Sequence, residues 1–282
     1  MAHPTDYTGR LGQGVLKLLS HEELLAIGGL DGVSPVLKFG SNPAVGTSEE
    51  DVWNLGGEET LLTSGAAMFA SCADNTNGVG QSIRVEGLDS NWAEQVGFVT
   101  LTGQTAAAIV SSTGAAQTWT RIHRAYQVSA SPDPTGDVYI AESDTVSGGV
   151  PQTGTKIHAL IDYTDAAQQT EKALFTVPAD HIALVYSAEA FMSAATGSAR
   201  SVIMGLEVSE LAVGATVASP SWTPRRSADT WSVSTAMPIA NRQYRYPKVF
   251  GELTNIHLRA KATTESVIAG SFQMLLLPVA DL

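Results

Sequence analysis

Six histidines, one cysteine and 28 carboxylates are the side chains with which this sequence would do acid–base, nucleophilic or metal chemistry. The histidines (His3, His21, His123, His158, His181 and His257) stand singly. None has the His-x-His or His-x-x-x-His spacing that puts two imidazoles on one face to seed a metal site. No Gly-x-Ser-x-Gly occurs to present a serine on a strained turn, and "GSAR" at residues 197–200 reads as a simple turn. Paired carboxylates could hydrolyse a glycoside, but the acids gather in loop-like stretches: residues 49–51 and 58–59, Asp74, Asp89 and Asp133. Glu189 in "YSAEAF", flanked by Tyr186 and Phe191, comes closest to an inward glutamate among aromatics, against the plainer reading of a satisfied or exposed strand residue. "DNTNG" at residues 74–78 carries oxygen ligands without the spacing of a calcium loop and reads first as a hairpin loop. "GRLGQG" at residues 9–14 follows no strand and lacks the Lys-Ser/Thr of a phosphate loop. The expectation is no catalytic residue, no metal ligand and no cofactor.

Aromatic side chains offer binding rather than reaction. Trp119, Trp222 and Trp231 lie in strand-like context, where they either fill cores or form a flat platform for a sugar ring. "SPSWTPRR", residues 219–226, frames Trp222 with prolines and follows it with Arg225 and Arg226, which suits a sheet edge or protruding loop. A Trp–Arg grouping of this kind favours a protein interface over a sugar platform.

The elements that would position these residues are strands. The chain has 282 residues, 44% hydrophobic and only 16% charged, enough to bury two ordinary cores and too apolar for disorder. Its net charge of −12, with no dense Lys/Arg run, excludes nucleic acid as the expected partner. Basic residues cluster only at residues 121–124, 225–226 and 242–248, the last interleaved with Tyr244 and Tyr246. Cys72 is alone, so packing must hold the fold, and Cys72 itself reads as a small buried hydrophobe. No apolar run is long enough to span a bilayer, and no secretory leader is legible, so a soluble chain made in the cytosol is expected, with no membrane partner.

Ser20-His21-Glu22-Glu23 has capping-box spacing and precedes Leu24, Leu25 and Ile27, which predicts one short helix ended by Gly28-Gly29. A connector, "KFGSNPAVGTSEEDVWNLGG", follows, with a single helical turn expected over residues 48–53. From residue 58 onward short apolar stretches alternate with Gly, Asn, Asp, Ser and Thr, the punctuation of an all-β chain. Strands are expected around residues 83–86, 96–101, 106–110, 119–128, 136–142, 156–163, 201–208, 230–236, 245–250, 255–262 and 267–277. In the 119–128 strand only one face is expected to be fully buried. Pro178-Ala179-Asp180 predicts a tight hairpin turn, and "ATTES" the turn between the last two strands. The fold expected is all-β: two tandem antiparallel β-sandwich domains, jelly-roll-like, behind an N-terminal arm with one short helix. Boundaries fall at 1–57 for arm and connector, 58–166 for the first sandwich and 167–282 for the second, with "YTDAAQQTE" between the sandwiches.

Several phrases carry a family likeness. "LKFGSNPAVGTSEEDVWNLGG", "VEGLDSNWAEQVGFVTLTGQTA" and "WTRIHRAYQV" resemble a group of tailed-bacteriophage virion structural proteins, in which a Lys-Phe-Gly-x-Asn-Pro connector leads to a Trp and paired glycines. "FTVPADHIALVYSAEAFM" and "IHLRAKATTESVIAGSFQMLLL" are similar to the C-terminal β domain of that group, which usually opens Tyr-Thr-Val-Pro-Ala-Gly; here Phe175 and Asp180 stand at the first and last of those positions. The likeness covers residues 37–282. It implies a non-enzymatic virion component, head-associated as a decoration or cement protein, or else tail- or fibre-associated as a receptor- or carbohydrate-binding module. The implied partners are the major capsid protein or other virion subunits and further copies of the chain, with trimers favoured. Expected interface residues are Phe39, Asn42, Pro43 and Trp53 in the connector, with Phe39, Pro43 and Trp53 as apolar pegs, and Trp222, Arg225 and Arg226 in the second sandwich. The competing reading of the arm is that it folds back over its own first domain.

Overall fold

A computed structural model describes residues 32–128, 133–164, 168–193, 200–216 and 218–279. The short helix expected near residues 20–27 lies outside them. Within them the chain is all-β, and every strand pair is antiparallel.

In the first block, β3 (Phe69–Cys72), β6 (Ala107–Ala108), β8 (Val138–Ala141) and β11 (Ile157–Ile161) form a sheet in the order β11-β8-β3-β6. A second sheet runs β5-β4-β7, from β4 (Val79–Leu88), β5 (Glu94–Thr102) and β7 (Arg121–Gln127). Period-two alternation selects what each buries: Ile83 and Val85 of β4 point in with Val99 and Leu101 of β5, and Arg84 and Glu86 point out. Trp119, Met68, Ile122, Ile140 and Ile161 complete one core. A small hairpin, β9 (Val146–Ser147) with β10 (Val150–Pro151), pairs with neither sheet but lies against β3, where Ser71 Oγ donates to the Gly149 carbonyl at 2.8 Å.

The second block also has two sheets about one core. One runs β1-β18-β13-β16, from β1 (Ser34–Val45), β13 (His181–Met192), β16 (Ile239–Phe250) and β18 (Ser266–Pro278). The other runs β12-β17-β14-β15, from β12 (Leu174–Thr176), β14 (Ser201–Ser209), β15 (Arg226–Ser234) and β17 (Asn255–Ala262), with β2 (Glu50–Asp51) also on β17. Val185, Met204, Leu206, Leu258, Phe272 and Met274 meet between them.

Three local expectations are corrected. Residues 48–53 form no helical turn: Glu50 and Asp51 pair with Ala260 and Arg259 as a short strand, because the sheet edge at β17 offers backbone partners that an isolated helical turn lacks. Pro178-Ala179-Asp180 does turn the chain, with Asp180 at φ +58, but it is no hairpin: β12 before it pairs with β17 and β13 after it pairs with β16 and β18. It is a corner between sheets, and the segment between β17 and β18 crosses likewise. Finally, β7 is buried on both faces up to His123, since the second block covers the face that carries Arg121 and His123.

The connector is structural within the chain itself. β1 is an edge strand of the second block, and Val45 and Val52 sit in that block's core. Asn42 organises the bend: its Nδ2 donates to Glu50 Oε2 and to the Asp51 carbonyl, both at 3.1 Å, and its Oδ1 accepts the Ala44 N–H at 3.0 Å. Glu50 accepts from the N–H groups of Gly46 and Gly57, at 2.9 and 3.0 Å. Burial alone would push the Glu50 carboxyl up, but these donors outweigh it and lower its pKa. Gly40 lets β1 close onto the chain beneath: a Cβ there would lie 2.2 Å from the Val52 carbonyl oxygen and 2.5 Å from the Ala173 nitrogen. Both are backbone atoms, so Gly40→Ala is expected to cost about 2 kcal/mol, read as a lower urea midpoint.

Candidate functional site

The ionisable groups that stood apart in sequence converge where the two blocks meet. Lys172, just before β12, donates through Nζ to Glu59 Oε1 at 2.6 Å and to the carbonyls of Ile122 and His158 at 2.9 Å each. Three acceptors match the three ammonium hydrogens. His158 Nδ1 lies 3.5 Å from the same Glu59 oxygen, and Trp53 presents its ring 5.8 Å from Lys172 Nζ. Beside this group, Asp51 Oδ1 meets His257 Nδ1 at 3.0 Å, and Asp51 Oδ2 accepts the Glu59 N–H at 2.8 Å. Arg259 flanks the pair, its Nη1 donating to Glu207 Oε2 at 3.2 Å and its Nη2 to the Glu49 carbonyl at 3.0 Å. Burial pushes the Asp51 carboxyl up, and the charge and hydrogen bond of His257 more than reverse it.

Arg121 ties the blocks together. Projecting from β7, it donates through Nη1 to the carbonyls of Leu62 and Thr120 at 2.6 and 2.7 Å, and through Nε to Thr176 Oγ1 at 3.0 Å. Its Nη2 reaches Asn255 Oδ1 at 3.1 Å. The guanidinium also lies 4.8 Å from the Trp92 ring centre and 5.2 Å from that of Trp222, with the two indoles edge-on at 5.4 Å. Next to it, His123 Nε2 accepts the Thr176 N–H at 3.2 Å and its ring lies on Phe175 at 4.1 Å. Burial, then the charges of Lys38, Lys172 and Arg121, hold His123 far below the usual histidine range, so it is a neutral acceptor at physiological pH. A cavity at the seam, lined by Glu59, Arg121, His123, Lys172 and His257, measures about 10 Å3, room for roughly one water. A cavity of that size leaves no space for a substrate.

The expected interface residues fall in varied places. Phe39 is half-buried on the outward face of β1, while Pro43 is exposed. Asn42 and Trp53 are buried inside the chain, Trp53 Nε1 donating to the Gly56 carbonyl at 2.7 Å, so neither is presented to a partner. Trp222 turns inward onto Trp92 and donates to the Leu253 carbonyl at 2.9 Å. Its arginine neighbour in space is thus Arg121, not the adjacent pair. Arg225 and Arg226 instead bind Glu58 and Glu210, at 2.5 and 2.7 Å. Trp119 and Trp231 are buried in separate cores, so the three tryptophans form no common platform. Glu189 faces outward on β13 and accepts from Asn241 Nδ2 at 2.6 Å. Asp74 is saturated, accepting from the N–H groups of Thr76, Asn77, Gly78 and Thr135 and from the Thr135 hydroxyl. Among the described residues no three His, Cys, Asp or Glu side chains gather as a metal cage would require, and no helix is long and apolar enough to cross a membrane.

Sequence reasoning missed Lys38, Asp51, Glu59, Arg121, Lys172 and Arg259 as a group. The one local signal is the phrase "NIHLRAKA" in β17, where His257 and Arg259 interrupt a strand buried along most of its length. No protein-family model matches the chain, and no curated protein matches its sequence.

Proposed function

We propose that this chain is a non-enzymatic structural component of a bacteriophage virion, a head-associated decoration or cement protein that oligomerises through its β domains, with the two blocks as tandem jelly-roll-like sandwiches. The observation that carries the reading is the use of Arg121 and of the Glu59–Lys172 pair: they join the blocks, around a cavity of about 10 Å3. The outer surface supports it further. The face of the β1-β18-β13-β16 sheet turned away from the core exposes Leu37 (56%), Phe191 (40%), Ile239 (58%) and Val267 (45%) around small residues such as Ser271 and Ala269. Such a weakly charged sheet face suits contact with other subunits. Because β1 and β2 belong to the second block, residues 1–31 are the part of the arm assigned to anchoring. The sheet-to-sheet corners at residues 178–180 and 263–265 support the jelly-roll-like reading.

Purified virions of the phage that encodes the chain are expected to contain it at symmetry-related positions on the head in a cryo-EM map. Its absence from intact particles overturns the reading. Deletion of residues 1–31 should weaken incorporation while leaving the far-UV β signature unchanged; undiminished incorporation would move the anchor elsewhere.

A further inference from the structure

A cleft of about 450 Å3 opens between residues 35–38 of β1 and the outward face of β4, β5 and β7, with His123 and Phe175 also in its lining. Both its size and its position at a junction of two blocks are those of a small-ligand site. Its charged walls are unequally satisfied. Glu86 is engaged by Arg84 Nε at 2.9 Å and by the Tyr126 hydroxyl at 3.2 Å, while Glu94 is exposed. Two cations have no carboxylate within ion-pairing distance among the described residues. Lys38, 7% exposed, donates through Nζ to the His123 carbonyl. Arg124 donates through Nη2 to Gln169 Oε1 at 2.6 Å and lies 4.5 Å from the Tyr126 ring centre. In a chain of net charge −12 this is an inverted arrangement: two cations that repel one another line one cleft, one of them largely stripped of water. An anion between them relieves both the repulsion and the desolvation.

We propose that this cleft binds a small organic anion, its carboxylate or phosphate head between Lys38 and Arg124 and its apolar body against Val36, Val96 and Phe175. The guanidinium supplies directional donors and the ammonium a point charge. Titration supports the geometry. Burial, then the charges of Lys172 and Arg124, bring Lys38 down to about 7 against the opposing pull of Glu59 and Glu86. The neighbouring His123 stays neutral and adds no charge. A bound anion raises the Lys38 pKa, so binding takes up a proton where the empty site is partly neutral. Affinity is therefore full below the unliganded value and falls as pH rises from about 6 to 8. The inference goes beyond the virion reading and does not depend on it.

The test is calorimetric titration of the full chain with benzoate, phenyl phosphate and neutral benzamide. Expected is saturable binding of at least one anion and none of benzamide; the tighter anion identifies the head group. Arg124 is exposed, so Arg124→Gln leaves the core intact and is expected to weaken binding about tenfold. Lys38→Met should weaken it about tenfold and remove the dependence on pH seen with benzoate, whose own charge is constant over this range. Benzamide binding as tightly as the anions, no saturable anion binding, or unchanged affinity in Arg124→Gln would each overturn the proposal.

Discussion

Replacing Glu59 by Gln is expected to lower folding stability by about 3 to 5 kcal/mol, measured by urea unfolding. The ammonium of Lys172 is buried and keeps its two carbonyl acceptors in the variant, but it loses its counter-charge at 2.6 Å. An uncompensated buried charge is what makes such a change costly, not the loss of one hydrogen bond. Removing both charges together should therefore cost much less than removing one: Glu59→Gln with Lys172→Met leaves neither member of the pair as an uncompensated buried charge. A loss below about 1 kcal/mol in the single variant, as for a surface pair, would show that the pair is solvated. Acid should act on the same bond. Burial pushes the Glu59 carboxyl up, but the charge of Lys172 and the hydrogen bond and charge of His158 outweigh it and leave the carboxyl at about 2. The folded value lies below the unfolded one of about 4.3. Its stabilising contribution is thus complete above the unfolded value and is lost as pH falls toward 2. The double variant should lose this part of its acid sensitivity.

Arg121→Met is expected to cost about 3 to 4 kcal/mol and to split a single calorimetric unfolding transition into two. One side chain donates to Leu62 and Thr120 of the first block and to Thr176 and Asn255 of the second, and it lies against indoles from both. Burial lowers its pKa to about 10, which still leaves it fully charged at neutral pH. Met fills the volume but makes no hydrogen bond, so four acceptors lose a donor. Arg121→Lys should rescue little, because an ammonium cannot span acceptors that a planar fork reaches in several directions. Wild-type stability in Arg121→Met, or full rescue by Lys, would show that the blocks are joined mainly by other contacts.

Much of the strand pattern was legible because it rests on local alternation. Ile83 and Val85 against Arg84 and Glu86 sort themselves in the sequence as they do in β4. The same rule placed β5, β14 and β18. It did not reach β1: the connector carried no strand expectation and Phe39 was expected as a peg into a partner, yet the segment is a strand in which Lys38 and Gly40 point inward and Leu37 faces out. The inward face there is chosen by the close approach of β1 to Val52 and Ala173, which only a glycine permits. The rule misled at β7, where only one face was expected to be fully buried, yet Arg121, Ile122 and His123 are all buried. Nothing within ten residues of Arg121 announces Thr176 or Asn255, its partners across the seam.

Composition and period-two patterning by themselves determined the all-β character of residues 58 onward that the structure describes, with turns at Gly, Pro, Asn and Asp, since those signals arise between adjacent residues. Tertiary structure alone decided which strands share a sheet and that the connector completes the second block. It alone decided that Glu59 meets Lys172 and Asp51 meets His257. Antiparallel edges accept any strand of suitable pattern, and ion pairs form between residues far apart in sequence. Their partners are selected only when the cores close and water is driven from the seam.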